Sequence, residues 1–352
     1  MSTQDIKHEQ GTERMMRAAV LEKTSADGSG VHVRDWPARR PGAGEVAVAL
    51  KAAALNRRDY WISVGKYADI RTPSVLGSDG AGVIIEVGAG VREGLLGQEV
   101  LINPSLGWGS SPEAQGDGYR ILGMPDEGTF AERVVVPVTQ VARKPEHLSW
   151  VEAAALPLAG LTAFRALCVR GGLLPGETVL IPGIGSGVST LVLMLARHLG
   201  ARCLVTSSSP AKLAAARELG AEYGALYTDA DWDKQLMRHL GGATCDLAVD
   251  GAGGDSWARC VNVLRPGGRL VSYGATAGLS QLDLRKHFWK QLNILGSTMG
   301  SERDFAQMVA LVDAGKLRPR VDSVVPLAQA GEALGRMGHG EHMGKLVLRI
   351  AE

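Results

Sequence analysis

The sequence has little of what marks several large protein classes. Lysine and arginine number 38 against 37 aspartates and glutamates among 352 residues, so the formal net charge is +1. A nearly neutral chain has no electrostatic attraction to phosphate backbones or anionic membrane surfaces. Aromatic residues make up only 5%, which leaves little material for a base-stacking surface. We therefore predict no nucleic-acid partner and no membrane partner.

Long apolar runs and clustered cysteines are also missing. No stretch reaches the roughly 18 consecutive apolar residues that a membrane span needs. Cys168, Cys203, Cys245 and Cys260 are scattered, which argues against a disulfide framework or a four-cysteine zinc site. The first 16 residues carry charges instead of the apolar core of a secretory signal. We expect a cytoplasmic protein whose residues 1–15 form a flexible tail.

Glycine is abundant, with 46 residues, and it falls where apolar runs turn into helices or loops. From about residue 16 to 150 the apolar runs are short and β-like, and few long helices separate them. From residue 157 onward, helix-like runs alternate with strand-like runs at 178–181, 202–206, 225–227, 246–249, 269–273 and 292–297.

This alternation predicts parallel βαβ units in an open, doubly wound sheet, and six strands are what a Rossmann dinucleotide-binding sheet contains. After a predicted helix at 302–314, extended segments at 321–326 and 345–349 look like the first part of the chain. We predict an α/β protein with a β domain of residues 16–156 and 301–352 and a Rossmann domain of residues 157–300. The cleft between the domains is the expected ligand site.

A glycine-rich turn follows the first predicted Rossmann strand. It contains Gly183, Gly185, Ser186, Gly187 and Val188 and opens an apolar helix. Glycines allow a tight turn and the close approach of a pyrophosphate to backbone N–H groups, and the helix N-terminus adds partial positive charge. The spacing is Gly-x-Gly-x-Gly instead of the usual Gly-x-Gly-x-x-Gly, so a turn without a ligand is the alternative.

The end of the second predicted strand indicates which dinucleotide binds. An NAD site usually places Asp or Glu about 20 residues after the glycine turn, where the acid accepts from the ribose hydroxyls. Residues 206–212 contain no acid, and Ser207, Ser208 and Lys212 offer hydroxyl groups and a cation. These groups suit the 2′-phosphate of NADP(H). A solvated helix lysine is the alternative interpretation of Lys212.

An ordered set of motifs resembles the medium-chain dehydrogenase/reductase superfamily, in its zinc-free quinone oxidoreductase and enoyl reductase branch. The motifs cover nearly the whole chain from Met16 and lie at residues 76–88, 128–132, 153–157, 160–163, 183–188, 206–212, 219–221, 264–268 and 344–348. The resemblance implies that the β domain has a GroES-like fold.

The resemblance also implies roles for individual residues. Bacterial quinone reductases of the family bind the 2′-phosphate with a lysine and a tyrosine 15 positions later, which is the spacing of Lys212 and Tyr227. Thr162 matches a threonine near the cofactor phosphates or nicotinamide. Further cofactor contacts are expected from loops at the carboxyl side of the sheet, at Gly251, Gly274 and Thr276.

Comparison with the same family argues against zinc. Its zinc alcohol dehydrogenases use a cysteine, a Gly-His-Glu motif and a residue just before the Rossmann domain. This chain has Asn56, Ser78 and residues 156–158 (Leu-Pro-Leu) at those places, and residues 105–123 lack the cysteines of a structural zinc lobe. Since catalytic zinc needs about three such ligands, we predict NADP(H) without zinc. His339 and His342 flank Glu341 and could suggest a metal site, but we interpret this segment as an exposed glycine-rich turn.

Zinc would stabilise the charge that develops on a simple carbonyl. A quinone or an α,β-unsaturated carbonyl is an easier acceptor, since hydrogen-bond donors suffice to stabilise its enolate or quinol oxygen. The resemblance places Asn56 and Tyr67 at the nicotinamide and the substrate, as the catalytic residues. The alternatives are backbone binding by Asn56 and plain packing by Tyr67.

We therefore predict a zinc-independent, NADPH-dependent oxidoreductase that reduces small-molecule quinones or α,β-unsaturated carbonyls. A zinc-free alcohol dehydrogenase or carbonyl reductase is one alternative, and a non-catalytic NADPH-binding sensor is another. In the family, the sheet edge that corresponds to residues 292–297 pairs across a two-fold axis, so we expect a homodimer.

Overall fold

The computed structural model of the protein describes residues 14–351. The predicted flexible tail of residues 1–15 therefore lies almost wholly outside the described residues. The strands are β1 (Met15–Leu21), β2 (Val31–Pro37), β3 (Glu45–Ala54), β4 (Ser74–Val75), β5 (Asp79–Val87), β6 (Glu99–Ile102), β7 (Ser105–Leu106), β8 (Arg120–Ile121), β9 (Arg133–Pro137), β10 (Val141–Arg143), β11 (Thr178–Ile181), β12 (Arg202–Ser207), β13 (Tyr223–Leu226), β14 (Cys245–Asp250), β15 (Leu264–Ser272), β16 (Asn293–Gly296), β17 (Val321–Pro326) and β18 (Lys345–Arg349).

The helices alternate with strands mainly in the second half of the chain. They are α1 (Arg57–Ser63), α2 (Trp150–Ala154), α3 (Pro157–Phe164), α4 (Gly187–His198), α5 (Pro210–Glu218), α6 (Trp232–His239), α7 (Gly254–Val263), α8 (Leu284–Trp289), α9 (Glu302–Ala314) and α10 (Ala330–His339). A π-helical segment, Arg165–Arg170, continues α3. In the described part of the chain, no helix has the length and apolar character needed to cross a bilayer.

The β part is organised around β3. Its sheet has the order β10-β6-β5-β3-β18-β17, and β9 also pairs with β3. Register shifts in the pairing with β5 bend β3. β9 pairs with β3 along Glu45–Ala49 and β18 pairs with it along Ala52–Ala54. Separate small sheets are β2-β1-β4 and β7-β8. The chain thus returns from the Rossmann sheet to pair its last strand with β3.

The Rossmann part is a six-stranded parallel sheet of order β13-β12-β11-β14-β15-β16. All four residues of β11 are buried, as expected of a parallel strand covered by helices on both faces. The strand order reverses between β11 and β14, which makes a crevice at their carboxyl ends. The predicted fold class is confirmed. β13 begins and ends earlier than predicted, at Tyr223 and Leu226, so Tyr227 follows the strand.

One hydrophobic core runs through both parts. The same buried cluster contains Ala54 and Val347 from the β sheet, Leu156 and Leu161 around α3, and Val192 from α4. This shared core fixes the β sheet against the Rossmann sheet and sets the width of the cleft between them. The domain limits at residues 156/157 and 300/301 stay a prediction.

Candidate active site

The glycine-rich turn lies between β11 and α4, at the carboxyl end of the Rossmann sheet. Gly183 and Gly185 have φ angles of +63° and +143°, which side chains other than hydrogen rarely allow. The Ser186 hydroxyl caps α4 by accepting from the Ser189 N–H at 3.0 Å, and Val188 lies in the first turn. The turn therefore presents a helix N-terminus, which attracts an anion.

The four residues predicted to bind the 2′-phosphate lie at the end of β12, in α5 and just after β13. Ser207 is buried, whereas Ser208 and Tyr227 are exposed, and the Tyr227 N–H donates to the Ser207 carbonyl at 2.9 Å. Lys212 is half-buried, and its Nζ lies so close to the glycine turn that a Cβ added to Gly185 would be 3.1 Å from it. Burial lowers the pKa of Lys212. The lysine is therefore packed against the glycine turn and is not a solvated helix residue.

The loops after β14 and β15 adjoin the glycine turn across the switch point. A Cβ on Gly274 would meet the Gly251 carbonyl oxygen at 2.8 Å, and one on Gly183 would lie 3.9 Å from the Cβ of Ala252. The Thr276 hydroxyl donates to the Gly251 carbonyl at 3.4 Å. The structure thus brings these predicted cofactor-binding residues to one crevice.

A buried polar cluster of Asn56, Asp79 and Lys345 lies where β3, β5 and β18 meet. Lys345 Nζ donates to Asp79 Oδ2 at 2.8 Å and to Asn56 Oδ1 at 2.6 Å. Asn56 Nδ2 donates to Asp79 Oδ2 at 2.9 Å, and the Leu158 N–H donates to Asp79 Oδ1 at 2.7 Å. Both polar atoms of the Asn56 side chain form hydrogen bonds within this cluster, so Asn56 helps to orient Lys345 and Asp79.

Lys345 also touches the glycine turn. A Cβ on Gly187 would collide with Lys345 Cδ, so only glycine leaves room for the lysine stem. The Gly344 N–H donates to the Gly185 carbonyl at 2.9 Å. An ammonium has three N–H donors, and Lys345 uses two of them on Asn56 and Asp79. The start of β18 therefore places a positive charge beside the N-terminus of α4.

Arg58 packs beside Ser78, at the other end of the cluster. Its Nη1 donates to Ser78 Oγ at 2.7 Å and to the Leu122 carbonyl at 2.9 Å, and its Nη2 donates to the Met124 carbonyl at 3.2 Å. Its Cζ lies 5.2 Å from the centre of the Tyr67 ring. The guanidinium is buried, and neutral oxygens hold it in place.

Asp59 is the buried carboxylate next to this guanidinium. Its Oδ2 accepts from the Asn56 N–H at 2.8 Å, an interaction at the start of α1. Its Oδ1 lies 3.9 Å from Arg58 Nη1 and has no hydrogen-bond partner among residues 14–351. Burial raises the pKa of Asp59 to about 6. The residue fixes the start of α1 and forms a long ion pair with Arg58, at 3.9 Å and without a hydrogen bond.

Thr162 and Met299 line the Rossmann side of the cleft. The Thr162 hydroxyl donates to the Leu158 carbonyl at 2.8 Å and lies 3.8 Å from Met299 Sδ. Met299 has a φ of +38°, a strained value for a residue with a side chain. The segment after β16 is therefore held in an unusual conformation against α3.

The donors at this place do not fit tetrahedral zinc. Zinc binds thiolate, imidazole and carboxylate groups, whereas Asn56 and Ser78 offer an amide and a hydroxyl that contact Lys345 and Arg58. Across residues 14–351, no three His, Cys, Asp or Glu residues are grouped so that they could hold a metal.

The interpretation of residues 339–342 as an exposed turn is wrong for His342. His339 and Glu341 are exposed, but His342 is buried because the chain turns inward there to begin β18. Burial, together with the charges of Arg57 and Lys212, lowers the pKa of His342 to about 4. His342 therefore stays neutral in a strongly cationic surrounding.

Arg58, Lys345 and His342 were not among the site residues predicted from the sequence. Lys345 belongs to a motif, residues 344–348, that indicates only the fold. Arg58 is adjacent to Asp59 and close to Asn56, which was a usable signal for a charged group at the site. Nothing local in the sequence indicates the burial of His342.

Known proteins share both halves of this architecture. Residues 42–146 match the family model of the alcohol dehydrogenase GroES-like domain, and residues 187–314 match that of the zinc-binding dehydrogenases. A zinc-type alcohol dehydrogenase-like protein, YogA, from Leptosphaeria maculans is 36% identical over 88% of this chain and 92% of its own length. The chain belongs to the medium-chain dehydrogenase/reductase superfamily.

Other members of the superfamily extend the comparison. A crotonyl-CoA reductase from Streptomyces avermitilis is 28% identical over 91% of this chain and 82% of its own length. A crystal structure of an NAD-dependent alcohol dehydrogenase is 39% identical, covers 96% of this chain and all of its own, and has a TM-score of 0.90. The predicted superfamily and the GroES-like fold are confirmed, and the protein is an oxidoreductase of this superfamily.

Proposed function

We propose that this protein is a zinc-independent, NADPH-dependent reductase of quinones or α,β-unsaturated carbonyls. The reaction takes place in the cleft between a GroES-like domain of residues 16–156 and 301–352 and a Rossmann domain of residues 157–300. The observation that carries the proposal is the contact of Lys345 with Asn56 and of Arg58 with Ser78. Two cations contact the residues that stand where a zinc enzyme of the superfamily has metal ligands.

Zinc independence rests on this donor set, although the relatives include a zinc-type protein by name. An ammonium and a guanidinium repel a divalent cation, and the amide and hydroxyl beside them are weak zinc ligands. We expect dialysis of the purified enzyme against a strong chelator to leave its activity unchanged. We expect metal analysis to find far less than one zinc ion per chain. A stoichiometric zinc whose removal abolishes activity contradicts zinc independence.

The cofactor residues form two groups. Gly183, Gly185, Ser186, Gly187 and Val188, with Lys345 behind them, suit the pyrophosphate. Ser207, Ser208, Lys212 and Tyr227 suit the 2′-phosphate. When it is bound, the reduced nicotinamide supplies a hydride to the substrate. Because one solved relative is an NAD-dependent alcohol dehydrogenase, the preference of this protein for NADPH over NADH has to be measured.

The variant Lys212→Ala tests the choice of NADP(H). Because a phosphate hydrogen-bonded to a cation contributes about 1.5–3 kcal/mol, we expect the KM for NADPH to rise at least about tenfold while the KM for NADH changes little. Lys234→Ala removes an exposed lysine of α6 and serves as the matched control. Wild-type protein that prefers NADH contradicts the proposed cofactor.

The substrate class follows from what the cleft offers an anionic oxygen. Without a metal, the cleft supplies hydrogen-bond donors and the positive charges of Arg58 and Lys345, which suffice for a delocalised enolate or quinol. The similarity to a crotonyl-CoA reductase supports reduction of a conjugated C=C bond. NADPH oxidation with a panel of quinones and enones tests this class.

The relatives called alcohol dehydrogenases favour a second candidate, a zinc-free alcohol dehydrogenase or carbonyl reductase. Simple aldehydes, ketones and alcohols therefore belong in the same panel. Turnover of these compounds, with none of quinones or enones, replaces the first candidate with the second. Tight NADPH binding without turnover of any compound indicates a sensor.

We also propose a homodimer that forms at the β16 edge of the Rossmann sheet. β16 is the last strand of the sheet order, so its outer backbone groups are open to a further strand. The preceding segment carries large apolar side chains in solvent: Leu279, Leu284, Phe288 and Trp289. An exposed apolar patch beside an open sheet edge suits a second copy of this chain.

A further inference from the structure

Tyr119 is a half-buried tyrosine in the segment between β7 and β8. Its ring packs edge-to-face on Trp108, with centroids 5.4 Å apart and an interplanar angle of 79°. Its hydroxyl lies close to Ser105 but completes no hydrogen bond within residues 14–351. Because a buried hydroxyl without a partner is costly, this group is suited to bind a ligand atom.

The position of Tyr119 is fixed by contacts across the cleft. The Ser105 hydroxyl donates to the Gly300 carbonyl at 2.5 Å, and Gly300 follows the strained Met299 next to Thr162. The segment that carries Tyr119 is therefore attached to the Rossmann side of the cleft, close to the end of β16.

Arg58 supplies a positive charge close to this hydroxyl. Its Nη1 donates at 2.9 Å to the carbonyl of Leu122, three residues after Tyr119, so the guanidinium lies beside the segment that carries this tyrosine. Burial raises the pKa of Tyr119 to about 12, against the lowering effect of the Arg58 charge. Tyr119 therefore keeps its proton at neutral pH and remains a donor.

The guanidinium of Arg58 has donors to spare. Of its five N–H groups, three donate to Ser78, Leu122 and Met124. The Nε–H finds no acceptor in the described chain. The cation is thus buried and fixed by neutral oxygens, and the Asp59 carboxylate 3.9 Å away forms no hydrogen bond with it. A fixed cation with free donors is suited to stabilise developing negative charge.

We propose that Tyr119 is the catalytic residue that binds the oxygen of the substrate carbonyl and supplies its proton, with Arg58 as the fixed positive charge behind it. This inference rests on the proposed function. Tyr67 is not the first choice, because 37% of it is exposed and its ring covers the guanidinium.

The step balances with NADPH as the reductant. As NADPH is oxidised to NADP+, the hydride it gives up forms a C–H bond at the β-carbon of the enone, and the electron pair of the C=C bond moves through the conjugated system onto the carbonyl oxygen. The Tyr119 O–H bond breaks as its proton passes to that oxygen, and a proton from the solvent then restores the neutral tyrosine. The enol then tautomerises to the saturated ketone, so the reaction consumes one NADPH and one proton.

Steady-state kinetics of Tyr119→Phe test this role. Loss of one donor to an oxyanion lowers kcat by about a hundredfold or more, while the KM for NADPH stays within about twofold because the cofactor contacts are intact. Tyr223→Phe removes a hydroxyl from β13, where the ring stacks on His239, and leaves kcat unchanged. A Tyr119→Phe enzyme with wild-type kcat, or a larger loss in Tyr67→Phe, overturns the assignment.

A binding measurement separates this inference from the proposed function. p-Nitrophenol is added to the protein saturated with NADP+, and its visible absorbance reports the ionised form. We expect wild-type protein to bind the probe and favour its phenolate. Tyr119→Phe weakens binding about tenfold, and Arg58→Gln abolishes the shift toward phenolate. Circular dichroism checks that each variant is folded, and Arg58→Lys, which keeps the charge, restores part of the shift.

The outcomes of the two experiments are distinct. Probe binding that depends on Tyr119, in a protein that turns over no quinone or enone, supports the site and overturns the proposed function. Turnover of enones that does not depend on Tyr119 supports the proposed function and overturns the inference. Wild-type protein that does not bind the probe also overturns the inference.

Discussion

Lys345 and Asp79 are 266 positions apart in the chain, yet Lys345 Nζ donates to Asp79 Oδ2 at 2.8 Å in a fully buried setting. The pair joins the last strand to β5, and the stem of the lysine passes Gly187 at the start of α4. It therefore connects the β sheet, the glycine turn and Asn56 through one side chain.

Lys345→Met is expected to destabilise the protein by about 3–5 kcal/mol, because it leaves the Asp79 carboxylate buried without its cation. Urea denaturation followed by circular dichroism measures the change. Arg143→Ala, which breaks the exposed pair with Glu146, serves as the control and costs at most about 1 kcal/mol. The double variant Asp79→Leu/Lys345→Met costs less than the sum of the single ones. Simple additivity contradicts a direct pair.

Gly187→Ala tests the contact between Lys345 and the glycine turn. An alanine Cβ at this position would collide with Lys345 Cδ, so the lysine has to move away from Asp79 and from the helix N-terminus. We expect NADPH, followed by fluorescence titration, to bind about tenfold more weakly. In Gly94→Ala the new Cβ meets no described atom within 4 Å, and affinity is unchanged. Equal affinities of both variants contradict this account.

Asp59→Asn tests the pH dependence that a buried carboxyl imposes. Burial raises the pKa of Asp59 from its ordinary value of 3.8 to about 6. Because the folded pKa is the higher one, protonated Asp59 stabilises the fold below pH 3.8, and this contribution is lost as the pH rises through about 6. The asparagine stays neutral and still accepts from the Asn56 N–H.

The variant should therefore match wild-type stability in acid and exceed it above neutral pH by on the order of 2–3 kcal/mol. Urea denaturation of both proteins across this pH range gives the difference in their free energies of unfolding. Other carboxylates titrate in both proteins and cancel in the difference. A difference that does not change with pH disproves the raised pKa.

Trp289→Asp is predicted to convert the proposed dimer to monomers. Trp289 is 81% exposed at the end of α8, just before the edge strand β16, and a charge there is costly to bury at an interface. Light scattering over a range of concentrations measures the mass. Leu174→Asp changes another exposed leucine and keeps the wild-type mass. A monomeric wild-type protein rules out the dimer.

The sequence by itself determined the Rossmann sheet, because strand periodicity and glycine at strand ends are local signals. Parallel strands carry their carboxyl ends to one edge, so the order of the strands is enough to bring Gly183, Ser207, Lys212 and Gly251 to the same side of the sheet. Their joint role in binding NADP(H) stays a prediction.

Only the tertiary structure decided which charges face each other in the cleft. Lys345 meets Asp79, Arg58 meets the Leu122 carbonyl, and His342 is buried. Burial and electrostatic pairing depend on residues far apart in the chain, so no local pattern encodes them. The same holds for Tyr119, whose unpartnered hydroxyl becomes visible only when β7 and β8 pair and bring it beside Trp108.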